Sequence, residues 1–176
     1  MSDAEQRLLE ILRERSFKRA APGESFTLVS GEKSEYFIDG KMTAVSPAGA
    51  ELIGEVLYDR TRRLNVDAIG GLQVGAVPLV TSAVIAYARH GKPVEGFWVR
   101  EATKDHGTRK QIEGGLNPGM RVAVVDDVFT KGGSTLKAAL AAREFGCEVA
   151  VVLALVDRLR GARALFRANG IESFDR

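Results

Sequence analysis

The stretch Val122-Ala123-Val124-Val125-Asp126-Asp127-Val128-Phe129-Thr130-Lys131-Gly132-Gly133-Ser134-Thr135 runs from an apolar segment into two adjacent carboxylates, then into a turn rich in glycine and hydroxyls. A short apolar run bounded by turn residues reads as a buried strand, and the residues after the turn read as a helix start. In an open parallel sheet, ligands bind beyond the carboxyl ends of the strands. The turn 130–135 would aim free N–H groups from a helix N-terminus, which favours a phosphate, and Thr130, Ser134 and Thr135 would add hydroxyl donors. Carboxylates repel an anion, so Asp126 and Asp127 need a different partner beside it. Sugar hydroxyls are that partner, and the pattern predicts a ribose phosphate: phosphate on the turn, 2′- and 3′-hydroxyls on Asp126 and Asp127. The alternative is an ordinary strand-to-helix connection capped by two acids. A Walker phosphate loop is excluded because no Gly-Lys-Ser/Thr stands at the required spacing, and the dinucleotide-binding fingerprint is absent too.

A second chemical region is a charge run. Residues 100–119 are polar and aperiodic, a length that in a compact domain marks a functional or disordered loop. Within 100–110, Arg100, Lys104, Arg109 and Lys110 stand against Glu101 and Asp105, with His106 beside them. Alone, such a run is most simply a solvated surface loop. Gly70-Gly71-Leu72-Gln73-Val74-Gly75 is a third glycine-rich segment, open to reading as a phosphate-facing loop or as a plain strand-to-helix turn.

The elements that must position these residues alternate. Ser2 and Glu5 have capping-box spacing ahead of Leu8, Leu9, Ile11 and Leu12. Phe26–Val29 and Tyr36–Ile38 read as strands flanking a turn at 30–34. Ser46-Pro47 opens a helix through about Leu64. A strand at 66–69 ending at Gly70-Gly71, a buried helix at 76–89 and a strand at 94–99 follow. Then come a strand at 121–125, a helix at 133–146, a strand at 149–156 and a helix at 159–169. This order predicts βαβ units, hence an α/β fold with a mostly parallel central sheet flanked by helices.

Length and composition agree. One chain of 176 residues predicts a single domain over 1–176. Hydrophobic residues at 45% and charged residues at 27% exclude a disordered tail, a collagen-like fibre and a coiled coil. Glycine is in excess, 19 of 176 or about 11% against a background of about 7%. The net charge of +2 is too balanced for a nucleic-acid binder acting through global charge, and no nucleic-acid partner is expected. The single cysteine, Cys147, excludes an internal disulfide and fits a reducing cytoplasm. The polar N-terminus is no secretory signal, and the apolar run 149–156 is too short to span a bilayer, so no membrane role is expected. His90 reads as a helix-end cation, Phe97 and Trp98 as packing, and Cys147 as a small buried hydrophobe.

The stretch 122–135 resembles the phosphoribosyl-diphosphate (PRPP) motif of type I phosphoribosyltransferases, and within them the chain is similar to the orotate phosphoribosyltransferases. Phe26 to Asp39 looks like that family's N-terminal hood, about residues 1–40. Arg100 to Gly114, with Lys104-Asp105-His106-Gly107, looks like its mobile catalytic loop, about 100–115. Val156-Asp157-Arg158 matches the strand end that presents an arginine to orotate. The resemblance implies transfer of the 5-phosphoribosyl group from PRPP to orotate, giving orotidine 5′-monophosphate and pyrophosphate in de novo pyrimidine biosynthesis. It implies Lys104 and His106 as catalytic. PRPP binding falls to Arg100, Glu101, Lys104, His106, Asp126, Asp127, Val128, Phe129, Thr130, Lys131, Gly132, Gly133 and Ser134, and orotate binding to Thr130 and Arg158. It further implies Mg²⁺ held mainly through PRPP and water rather than by a protein cage, and a cytoplasmic homodimer that shares the loop across subunits.

The family usually carries lysine where this chain has Glu101, a charge reversal expected to weaken PRPP binding. Lys131 is unusual in the phosphate turn. The competing readings are a transferase for another base, which would not need Arg158 as a carboxylate partner, and a non-catalytic PRPP-binding regulator on the same fold. A generic nucleotide-binding domain comes third.

Overall fold

The computed structural model describes residues 1–28, 31–101 and 111–172. Helix α1 (Asp3–Arg15) starts from the expected capping box: the Glu5 N–H donates to Ser2 Oγ, and the Ser2 N–H donates to the Glu5 carboxylate. Strands β1 (Phe17–Arg19), β2 (Phe26–Thr27), β3 (Lys33–Ser34) and β4 (Tyr36–Ile38) follow. They form two antiparallel ribbons, β1 with β4 and β2 with β3. The hood is therefore stapled to the end of α1 through β1, a strand too short and too exposed to carry an alternating pattern. Helices α2 (Gly40–Ala44) and α3 (Pro47–Thr61) come next, the latter capped by Ser46 with proline in its first turn.

The remaining elements are β5 (Ala68–Leu72), α4 (Ala76–Arg89), β6 (Glu95–Val99), β7 (Ile112–Gly114), β8 (Arg121–Phe129), α5 (Gly133–Glu144), β9 (Glu148–Asp157) and α6 (Ala162–Ala168). They build a five-stranded sheet in the order β7-β6-β5-β8-β9, with β7 antiparallel to β6 and the other pairs parallel. The expected α/β architecture is present.

Both faces of the sheet are covered, and β8 shows how. Ala123 and Val125 join a core with α1, α3 and α4, while Val122 and Val124 join a second core with α5 and α6. Burial on both faces gives the strand its unbroken apolar sequence. Phe97, Val99, Ile69, Val122, Val124 and Val125 are fully buried, each such side chain contributing about 1.5–3 kcal/mol. Cys147 sits in the second core, and burial raises its thiol pKa.

The sequence reading lacks β1, β3 and α2, and among the boundaries that differ from it four bear on the sheet and its flanks. Strand β5 continues through Gly70 and Gly71 because both pair with β6, and Gly70 with β8 as well, so ladder bonds override the turn signal. Strand β8 runs on to Phe129, since its pairing with β9 extends to Phe129 and Asp157. The polar run 100–119 contains β7, paired against β6, where cross-strand bonding replaces periodicity as the cause. Helix α6 starts only at Ala162, behind Gly161 in a left-handed conformation. His90 caps α4, with its ring stacked on Tyr58 at 3.9 Å and Nε2 2.8 Å from Glu55 Oε2. Among the described residues, no helix is long and apolar enough to cross a membrane.

Candidate active site

The extension of β8 to Phe129 decides how the two acids work. Side chains alternate across a strand, so Asp126 follows Val122 and Val124 toward α5, and Asp127 follows Ala123 and Val125 toward the other face. Asp126 is only 8% exposed; Thr135 Oγ1 donates to its Oδ2 at 2.7 Å, and the Asp127 N–H donates to its Oδ1 at 3.0 Å. Burial, reinforced by the neighbouring Asp127 charge, raises its pKa to about 6 against the pull of these hydrogen bonds. Asp127 meets α2 instead: Lys41 Nζ lies 3.6 Å from its Oδ2.

Thr130 and Lys131 then turn the chain into α5. Gly132 has φ of 80°, and a Cβ there would lie 2.8 Å from Phe166 Cζ and 2.9 Å from Ala162 Cβ, so this position requires glycine on both conformational and packing grounds. Gly133 and Ser134 are exposed at the α5 N-terminus, available to a ligand. Thr135 is not: it is 1% exposed and its hydroxyl is given to Asp126, so the expected third hydroxyl of the phosphate turn faces inward. Phe129 is buried edge-on against Phe166, with ring centroids 5.0 Å apart. Lys131 reaches across to the hood and pairs with Glu32 at 2.8 Å, which lowers the Glu32 pKa.

Arg158 follows directly on β9. Its backbone N–H donates to Phe129 O at 2.9 Å, tying the two strand ends together. The side chain is 9% exposed, with one Nη donating to Ser34 Oγ at 2.9 Å and the guanidinium over the Tyr36 ring at 4.6 Å. Among the described residues it has no ion pair, and its buried Nε has no partner. A buried cation without an acid is costly; a planar carboxylate ligand would complete it.

These groups share one cleft of about 450 Å³, lined by Asp126, Asp127, Val128, Thr130, Lys131, Gly132, Gly133, Ser134 and Arg158, with Leu28, Phe37, Ile38 and Lys41 from the hood side. The sequence reading missed Lys41, Ser34 and Tyr36 as site residues. The available signal was that Ser34 and Tyr36 fall within the hood segment and Lys41 just past its end. Arg100 and Glu101 stand at the end of β6, two strands from β8, and do not line this cleft. Arg100 pairs with Glu113 at 3.2 Å, its buried Nε has no partner among the described residues, and Lys137 Nζ donates to the Glu101 carbonyl at 2.8 Å. Lys104 and His106 lie outside the described residues. Among the described residues, no three His, Cys, Asp or Glu side chains gather as a metal cage. A Mg²⁺ ion that arrives on phosphate oxygens and keeps its waters calls for no such cage.

A parallel sheet with an acid pair at one strand end, a glycine-and-hydroxyl turn after it, and a hood over the cleft is the architecture of the type I phosphoribosyltransferases. No protein-family model matches the chain. It is 42% identical over 166 residues to the orotate phosphoribosyltransferase of Aquifex aeolicus (strain VF5), covering 94% of this chain and 90% of that one. It is 44% identical over 175 residues to the orotate phosphoribosyltransferase of Bradyrhizobium diazoefficiens, covering 97% and 91%. The orotate phosphoribosyltransferase of Mycobacterium tuberculosis H37Rv, solved in complex with PRPP, superposes with a TM-score of 0.79 at 32% identity, covering 97% and 93%. The chain belongs to the orotate phosphoribosyltransferase family.

Proposed function

We propose that the chain transfers the 5-phosphoribosyl group of PRPP to orotate, releasing pyrophosphate and forming orotidine 5′-monophosphate, a step of de novo pyrimidine biosynthesis. The observation that carries this is Arg158, a buried guanidinium that has no acid partner among the described residues, opening on the same cleft as Asp126, Asp127 and the phosphate turn. It provides a carboxylate socket beside a ribose-phosphate socket, which orotate and PRPP together would fill.

In this reading the 5′-phosphate rests on the N–H groups of 130–134 and on the Ser134 hydroxyl, at the start of α5. Asp126 and Asp127 accept from the ribose hydroxyls. Arg158 holds the orotate carboxylate, and Thr130 closes the base side. The bond from the sugar C1 to the diphosphate oxygen breaks, a ring nitrogen of the base bonds to C1, and the ring N–H proton is released. The protein's work is to align the two reactants and to stabilise charge on the departing diphosphate. Lys104 and His106 contact the diphosphate and Arg100 helps, by their match to the family loop, with the two cations supplying positive charge. Mg²⁺, when bound with PRPP, neutralises diphosphate charge. The family pattern further supports a homodimer whose loop 100–115 serves the neighbouring subunit, and the lone buried thiol of Cys147 supports a reducing cytoplasm.

The test is loss of orotate absorbance in the presence of PRPP and Mg²⁺, with adenine, hypoxanthine and uracil in parallel. Turnover of orotate that requires both additions is expected. Turnover of a purine instead, or PRPP binding with no turnover of any base, would overturn the reading.

A further inference from the structure

Among the described residues three cations line the cleft, and their acids differ. Arg158 has none among the described residues, Lys131 pairs with Glu32 of the hood, and Lys41 pairs with an acid of the site itself. Lys41 is the second residue of α2. Asp39, the cap of that helix, accepts from the Lys41 backbone N–H at 3.2 Å and from its ammonium at 2.8 Å. The same ammonium lies 3.6 Å from Asp127 Oδ2. Hydrogen bonding to Asp39, with the charge of Asp127 added, raises the Lys41 pKa and keeps it cationic. Gly40 lets the helix come this close: a Cβ there would sit 2.7 Å from Asp127 Cβ and 3.1 Å from its Oδ2.

Asp127 has a specific need for such a partner. Its neighbour Asp126 is held by Thr135 and by a backbone N–H. Among the described residues, the one ion pair to Asp127 is with Lys41. Two adjacent carboxylates disfavour each other's charge, and an added anionic substrate worsens this. A cation anchored on Asp39 offsets that repulsion and fixes which oxygen of Asp127 stays free, since Oδ2 is drawn to Lys41 and Oδ1 faces Gly75.

Resting on the functional reading above, we infer that Lys41 is a positioning residue: the chain Asp39–Lys41–Asp127 holds Asp127 as an oriented acceptor for a ribose hydroxyl. Lys41 acts through Asp127 and needs no contact with substrate.

Lys41→Met, Lys41→Arg and Asp39→Asn are compared with the parent by steady-state kinetics at saturating co-substrate, and by calorimetric titration with PRPP and Mg²⁺ alone. Lys41→Met should raise the PRPP KM and Kd roughly fivefold, the scale of a half-exposed ion pair, with kcat and the orotate KM within about twofold of the parent. Lys41→Arg should recover most of the loss, and Asp39→Asn should fall between. Three results would each overturn the inference: a PRPP KM unmoved in Lys41→Met, a change confined to kcat or to orotate, or Lys41→Arg as impaired as Lys41→Met. If the parent turned over no orotate, the functional reading would fail, while the calorimetric comparison would still decide on Lys41.

Discussion

Asp126 and Arg158 stand at the ends of neighbouring strands and are about equally buried, yet they are held by opposite means. Asp126 is fixed from within one βα unit: Thr135 is nine positions away and the backbone bond is to the next residue. Arg158 is fixed from 124 positions away, by Ser34 of the hood, and leans on the Tyr36 ring. The phosphate turn and Asp126 are thus a local device, formed by β8, the turn and α5, with Asp127 alone taking a partner, Lys41, from α2. The base half exists only when the hood is folded onto the sheet. Strands of two or three residues close that half, so the order of its parts depends on tertiary contacts.

Breaking the base half should have the largest effect. Arg158→Ala is expected to lower kcat/KM for orotate by roughly 10²–10³-fold, the cost of removing one partner of a desolvated charge pair. The PRPP KM should stay within about twofold. Steady-state kinetics in both substrates checks this, and equal losses in both would show that the halves are not separable.

Breaking the local half comes next. Asp126→Asn should lower kcat/KM for PRPP by roughly 10–100-fold, the loss of a charged acceptor. Because the Asp126 pKa is raised from 3.8 to about 6, its ionised form is lost as pH falls through about 6. The parent's kcat/KM for PRPP should drop on that limb, and the variant's profile should be flatter. The stability sign is the reverse. A raised carboxyl favours the folded state below its unfolded pKa, and that advantage is lost as pH rises from about 4 to about 6. Melting without ligand should therefore find Asp126→Asn more favourable, relative to the parent, at about pH 7 than at about pH 4.

Gly132→Ala tests the turn as a scaffold. A methyl group against Phe166 and Ala162, at positive φ, should cost about 1–3 kcal/mol and lower Tm by roughly 2–10 °C. Gly133→Ala is the control, since a Cβ there meets nothing within 4 Å among the described residues. Equal melting of the two variants would sink this account of the turn.

The smallest expected effect lies outside both halves. Glu101→Lys should lower the PRPP KM roughly threefold at low salt and less as salt screens it. An unchanged or higher KM would remove Glu101 as the cause of any weak PRPP binding.

The same contrast explains what could be read before folding. Asp126, Asp127, Thr130 and the glycines of the turn lie in one run of sequence, so strand, turn and helix signals placed them together. The inward turn of Thr135 was not legible, because it depends on β8 extending to Phe129 and thereby aiming Asp126 at α5. Arg158 was legible as an arginine at a strand end only through the family resemblance; its Ser34 and Tyr36 partners depend on how the hood folds back. Lys41 gave no signal of its own, since Gly40 and Asp39 gain their meaning only when α2 meets Asp127. Strands β1 and β7 have three residues each, and they exist through pairing rather than through pattern.

The lone cysteine has a practical consequence. Cys147 is 7% exposed, lies in the core beneath α5, and its thiol pKa is raised by burial. A thiol reagent can therefore reach it only when that layer opens, with no second cysteine to confuse the signal. The rate of labelling is a built-in clock for how often the packing around the α5–β9 connection opens, and a ligand that stabilises α5 as a whole should make that clock run slower.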